Sequence, residues 1–386
     1  MGKKNTLTGL LFIALITGAF LNISARFVHA AATSDSSGGT PDDFTVIMVG
    51  DILLHDGIEK CAKQEDGSYD FTAIFAHTKD AIEDADLAIV NEEVIIGGEE
   101  LGVTGYPSFN APYEIADELA ETGFDVICHA TNHALDRGKN GIENCLSYWG
   151  ENHPDIRTVG IYTDRADSED ICIFENDGYK IAVLNYTYGT NGIPLPKNMP
   201  YAVNLLDEKK VISDLTKAEK EADITIVCPH WGTEYDHGIS AYQKKWAKIF
   251  AENGADIIIG THPHVIEPVE TIEGRDGRAV PVYYSIGNFI NWTSGRGKGV
   301  ADRMVGAMAE VTLTKDTDGE VIVKDYGVKP LVSHVRSAIN GSTVYFLDDY
   351  TTANSYLNEI RKRDQHFSHD YCEDLCIQVF GKDLLR

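Results

Sequence analysis

Five times along this chain a short apolar run stops and a residue able to hold a cation follows within a few positions. The runs are 44–49 (FTVIMV), 87–90 (LAIV), 124–128 (FDVIC), 224–228 (ITIVC) and 256–259 (DIII). They lead into Asp51, Asn91-Glu92-Glu93, Asn132-His133, His230 and His262-Pro263-His264, respectively. Runs this short and this rich in β-branched residues read as buried strands. Stretches of helical period lie between them, at 112–122, 138–149, 207–222 and 241–252. Strands alternating with helices predict a mainly parallel α/β sheet. In open sheets of that kind the carboxyl ends of the strands form the crevice where ligands bind, so residues far apart in sequence can meet there. Hairpin signals at 171–186, around Asn176-Asp177-Gly178, and at 307–327, around Asp318-Gly319, predict a second, more antiparallel sheet packed on the first.

The N-terminus has the order of an export signal. Lys3 and Lys4 precede an apolar run over 7–23, and small residues accumulate over 24–32. Residues 1–32 are therefore expected to be a signal peptide, or an N-terminal membrane anchor if uncleaved. The polar stretch 33–43 (TSDSSGGTPDD) reads as a flexible linker. The chain after it is expected to be extracytoplasmic, secreted or anchored, with the main domain over 44–335 and a mostly helical C-terminal extension over 336–386. Sixty acidic residues against 33 basic ones give a formal charge of -27, which argues against a nucleic-acid partner. Such a surface also repels a polyanion at long range. Contact with one must be local, because salt screens charges beyond about 8 Å. Cys128 and Cys228 sit in apolar runs and read as core residues; the seven cysteines support no disulfide framework.

The residue types at the strand ends suit a divalent cation. Asp51 and Glu93 offer hard anionic oxygens, Asn132 a neutral carbonyl oxygen, and His230, His262 and His264 imidazole nitrogens. Mixed oxygen and nitrogen sets fit Mn, Zn or Fe. A bridging carboxylate, Asp51 or Glu93, would hold two ions about 3.5–4 Å apart. Each residue alone has a bland reading: Gly50-Asp51 as a turn, Glu93 as a solvated charge, Asn132 as an Asx-turn, His230 as a surface histidine. Their shared position at strand ends is what argues for chemistry. Arg137, Arg296 and Arg303 are candidate partners for a substrate anion, since a guanidinium offers a two-pronged donor; plain surface charge is their competing reading.

Six segments, GDILLHDG, VNEEV, HATNHALDRG, PHWGTEY, GTHPHVIEPVE and YYSIGNFI, occur in this order. Over 44–290 the set resembles the poly-gamma-glutamate capsule biosynthesis CapA family of the calcineurin-like metallophosphatase superfamily. The resemblance implies an α/β fold, a four-layer α/β/β/α sandwich of the metallophosphatase type. It implies one or two divalent metal ions held by Asp51, Glu93, Asn132, His230, His262 and His264. It also implies that His133 is a catalytic histidine outside the ligand set. The functions it implies are capsule biosynthesis or anchoring through a hydrolase or transferase site, working on an anionic polymer or phosphorylated substrate beside the capsule synthesis and export machinery at the membrane. An extracellular phosphatase or phosphodiesterase, or a non-catalytic capsule protein with a vestigial site, are the alternatives. The chain departs from the superfamily pattern where Leu53 replaces the histidine of Asp-x-His, with His55 two residues later. Thr131 stands for a usual Asn and Glu267 for a usual Gln.

Overall fold

Both faces of β1 (Phe44–Ile52) are covered, which is why it reads as an unbroken apolar run. Phe44, Val46 and Met48 share one core with Ile181, Ile226 and Ile259, while Ile47 and Val49 share another with Ile115, Leu119 and Ile142. The same division holds for β2 (Leu87–Glu92) and β3 (Val126–Cys128), which lie beside β1 in parallel. The computed structural model describes residues 43–293, 295–337 and 341–386. The expected export segment 1–32, and the linker up to residue 42, lie outside the described residues. Among the described residues no helix is long and apolar enough to cross a membrane.

The chain builds the first sheet, leaves it, and returns. After β3 comes β4 (Arg157–Val159). The second sheet then takes β5 (Cys172–Asn176), β6 (Tyr179–Thr187), β7 (Ile224–His230), β8 (Ile257–Ile259), β9 (Val269–Glu273) and β10 (Ala279–Tyr283). The return brings β11 (Asn288–Ile290), β12 (Val305–Lys315), β13 (Val321–Ser337) and β14 (Gly341–Phe346). The first sheet runs β14-β13-β12-β1-β2-β3-β4, with β11 also pairing with β1; the second runs β5-β6-β7-β8-β10-β9. The two hairpins do not form a separate antiparallel sheet, as the sequence suggested. One joins each sheet: β5-β6 at an edge of the second, β12-β13 between β14 and β1 in the first, while β6, β7, β8 and β10 run parallel in the second.

Three buried cores make the four layers. Helices Glu114–Thr122 and Gly138–Asn152 cover the outer face of the first sheet. Helices Glu208–Glu221 and Ala241–Glu252 cover the outer face of the second. The core between the sheets also receives Cys372, Cys376 and Phe380 from helix His369–Phe380, so the C-terminal segment belongs to the sandwich. Ser240 caps helix Ala241–Glu252 through a reciprocal pair with Gln243, a motif of about 1 kcal/mol. The expected α/β/β/α architecture is the one observed.

Candidate metal centre

Asp51 is aimed by a bulge. Val49 pairs with Val90 and Asp51 with Asn91, so Gly50 is the extra residue on its strand. A Cβ at Gly50 would lie 1.9 Å from the Gly287 carbonyl oxygen, so only glycine lets β1 pass that close to the returning chain. The Asp51 N–H donates to the same Gly287 oxygen at 3.1 Å. Asn91, its partner on β2, donates from Nδ2 to Asp51 Oδ1 at 2.8 Å.

Two residues on from Asn91, Glu93 enters the same space. Its neighbour Glu92 faces the other way, toward Cys145. From the second sheet, β7 ends on His230, and the loop after β8 carries His262 and His264. Both histidines have left-handed backbone, φ 99° and 61°. That conformation is costly for residues with a Cβ and is found where surrounding structure imposes it, often at functional sites.

The side chains converge. His264 Nδ1 lies 3.3 Å from Asp51 Oδ2 and 3.6 Å from Glu93 Oε2. His230 Nε2 lies 3.7 Å from Glu93 Oε1 and 2.8 Å from Asn132 Oδ1, while its Nδ1 is held by Thr261 Oγ1 at 3.0 Å. The His230 and His262 rings are 4.8 Å apart, and the His262 N–H donates to Asp51 Oδ2 at 3.3 Å. Three overlapping trios could hold a cation: Asp51, Glu93, His264; Glu93, His230, His262; and Glu234, His262, His264. All six residues expected as ligands therefore lie in one place. Glu234, which the sequence reading did not single out, joins them from the loop after β7.

Burial sets the charges here. His230 and His262 are held well below the usual imidazole range by desolvation and by neighbouring histidines, so both are neutral donors at pH 7. Glu93 is pushed well above the usual carboxylate range, first by burial and further by Asp51. Burial would lower His264, but the Glu93 and Asp51 carboxylates outweigh it and raise the imidazole to about 9. Glu93 and His264 thus share a proton that an incoming cation must displace.

His133 sits beside this cluster and lines a cavity of about 580 Å³ that opens from it. Its Nδ1 is 2.7 Å from Asp136 Oδ2, and its ring meets the Phe109 ring edge-on at 4.7 Å. Asn191 joins it to the ligand set: its Nδ2 lies 3.4 Å from His133 Nδ1, and its Oδ1 accepts from Asn132 Nδ2 at 3.3 Å. Asp136 and Asn191 were missed from sequence. The His-x-x-Asp spacing could have pointed to Asp136, but nothing local marks Asn191.

The departures have physical counterparts. Leu53 is buried on the cavity wall, so no histidine enters at that position. His55 also lines the cavity, edge-on to Phe109 at 5.3 Å, but belongs to none of the three trios. Thr131 ties its loop to the centre by donating from Oγ1 to the Glu93 carbonyl at 2.8 Å. Glu267 is buried against Gln243, and burial pushes its carboxyl up to about 8. It is therefore mostly protonated at pH 7 and stands in for the neutral glutamine amide.

The three arginines separate. Arg303 lines the cavity. Arg137 does not: its Nη1 and Nη2 donate to Ser108 and Thr104, bracing the loop that carries Tyr106 and Pro107. Arg296 is exposed and also outside the cavity lining.

The profile of the bacterial capsule synthesis protein PGA_cap family matches residues 45–293, which include every residue of the cluster. PGA biosynthesis protein CapA of Bacillus subtilis (strain 168) is 29% identical over 302 residues, 74% of each chain. Capsule biosynthesis protein CapA of Bacillus anthracis is 27% identical over 304 residues, 75% of this chain and 71% of that one. Among solved structures, the NAD nucleotidase of Haemophilus influenzae is similar at 12% identity with a TM-score of 0.44, over 78% of this chain and 53% of that one. This chain belongs to the bacterial capsule synthesis protein PGA_cap family.

Proposed function

We propose that this capsule-biosynthesis protein is a metal-dependent hydrolase or transferase, working outside the cytoplasm on an anionic polymer or a phosphorylated precursor of it. The observation that carries this reading is Glu93. It is fully buried, neither carboxylate oxygen has a hydrogen-bond partner, and the two oxygens face different histidines. A buried carboxylate left this way is costly, and a divalent cation is the partner its surroundings suit. Nδ1 of His262 is likewise buried and unpartnered. The oxygens of Asp51, Glu93 and Asn132 with the nitrogens of His230, His262 and His264 make a set for Mn, Zn or Fe. Glu93 belongs to two of the trios, so it would be the carboxylate able to hold a cation with either histidine set.

A bound ion supplies a hydroxide near neutral pH and draws charge from a phosphoryl or carboxyl oxygen. The chain's own residues do the rest. Asp136 fixes Nδ1 of His133, which leaves Nε2 to give a proton to the leaving oxygen. Asn191 accepts from Asn132 and stands beside His133. The export-like order of residues 1–32 supports the location.

The test uses the chain recovered from the envelope or the medium, stripped with a chelator, reloaded with Mn, Zn or Fe, and assayed on a generic phosphodiester and on polyglutamate. Turnover of at least one substrate should vanish on stripping and return on reloading. Undiminished turnover without metal would sink the metal mechanism. A fully loaded protein inert on both substrates would favour the non-catalytic capsule role. Recovery from the cytoplasm alone would sink the location.

A further inference from the structure

We infer that Arg303 forms an anion-binding subsite in the same cavity, taking a carboxylate or phosphate group of the substrate; this rests on the cavity being the working site of the metal-centre reading. The guanidinium lies 3.6 Å from the centroid of the Tyr235 ring, and Nη1 donates to Thr293 Oγ1 at 2.7 Å. Its Nε is buried without a hydrogen-bond partner. Among the described residues no carboxylate pairs with Arg303. Other arginines, Arg137, Arg361 and Arg363 among them, also stand without a carboxylate; what sets Arg303 apart is its place in the cavity lining. A half-buried guanidinium lining a cavity, with Nη2 unbonded among the described residues, is a place for an external anion.

The subsite is tied to the metal centre by one side chain. Asn288 Nδ2 donates to the backbone carbonyl of Arg303 at 3.0 Å, and its Oδ1 lies 3.1 Å from His264 Nδ1. Arg303 and a candidate ligand therefore keep one spacing. Asp302, its neighbour, accepts from Tyr371 of the C-terminal helix and lies 3.1 Å from His237 Nε2, which steadies the loop that carries Tyr235. Glu234 shares the cavity, with its carboxylate grouped beside His262 and His264.

The remaining lining describes the rest of the ligand. Leu53, Pro107 and Phe109 make an apolar wall, and Tyr106, 75% exposed, stands at the mouth. The fitting ligand carries its anion on a stem that packs against that wall. The net charge of -27 opposes anions at a distance, so a local cation is the means by which an anionic group is held here.

Calorimetric titration of the metal-loaded full chain with inorganic phosphate and, separately, with glutarate tests this. Metal content is measured for each sample. At least one anion should bind, and R303Q should weaken that binding about tenfold or more, the scale of a lost charge-assisted hydrogen bond, with metal content unchanged. R303K, which keeps the charge, should bind within several-fold of the parent and guards against a folding defect in R303Q. Preference for phosphate or for glutarate identifies which anion the subsite serves. Equal binding by R303Q and the parent, or no binding of either anion by the parent, overturns the proposal. If the parent carries no metal yet R303Q still loses anion binding, the metal-centre reading fails and the subsite stands.

Discussion

Glu93→Gln should lose metal by about 100-fold or more in affinity, since even residues that only support a metal ligand are worth 10–100-fold. Glutamine keeps the size of the side chain but replaces one carboxylate oxygen with an amide nitrogen that repels a cation. Equilibrium dialysis followed by metal analysis measures the loss, and unchanged occupancy would remove Glu93 from the centre. The metal-free proteins provide a second readout. A carboxyl raised on folding binds its proton more tightly folded than unfolded, so stability falls as pH rises above the unfolded value of about 4.3. His264, raised to about 9, stabilises the fold below its unfolded value of about 6.5 and loses that contribution as pH rises through about 9. Both groups act in one direction. His230 and His262, lowered on folding, give the opposite slope up to about pH 6.5 in parent and variant alike. Glu93→Gln removes one raised group and the charge that raises the other, so the stability of the metal-free parent relative to Glu93→Gln should fall between about pH 4 and pH 9. Loading an ion replaces the proton that Glu93 and His264 share, and metal affinity should climb over the same window.

His133→Asn should lower kcat by about 10²–10⁴, the usual worth of a general acid, while metal content stays at the parent level. The reasoning is geometric. His133 is absent from all three cation trios, yet it lines the cavity beside Asn132. Asparagine can keep a polar contact to Asp136 but has no proton to give at neutral pH. Loss of metal in this variant would make His133 a ligand, and unchanged turnover would leave the leaving group without its proposed acid. A leaving group that needs no protonation, such as a nitrophenolate, should narrow the deficit.

The clustering of the candidate ligands was legible because they stand at the ends of strands covered on both faces, and such strands announce themselves as apolar runs. Asp51, His230 and His262 are one to three residues beyond such runs, and parallel pairing then carries them to one edge of the sandwich. Residues placed by loops were harder to read. Asn191 reaches His133 from a turn after β6, with φ at 50°, and Glu234 approaches from the turn after β7. No periodicity marks either position. The three arginines show the same limit: charge and proximity in sequence do not tell Arg303, turned inward by the short helical turn Val300–Met304, from Arg137, turned toward the loop of Thr104 and Ser108. The strands β4 (RTV) and β11 (NFI) lack the unbroken apolar run that marks the equally short β3 and β8. The hairpins were recognised, but which sheet each one joins depends on where the chain crosses back after β10, and that is decided by packing between the sheets.

Anomalous diffraction from crystals of the purified chain, collected at the Mn, Fe and Zn absorption edges, tests the central claim most directly. The account predicts one or two peaks at a single edge, lying among Asp51, Glu93, Asn132, His230, His262 and His264. Crystals soaked in all three metals that show no peak there, or a peak only at another part of the surface, would contradict it.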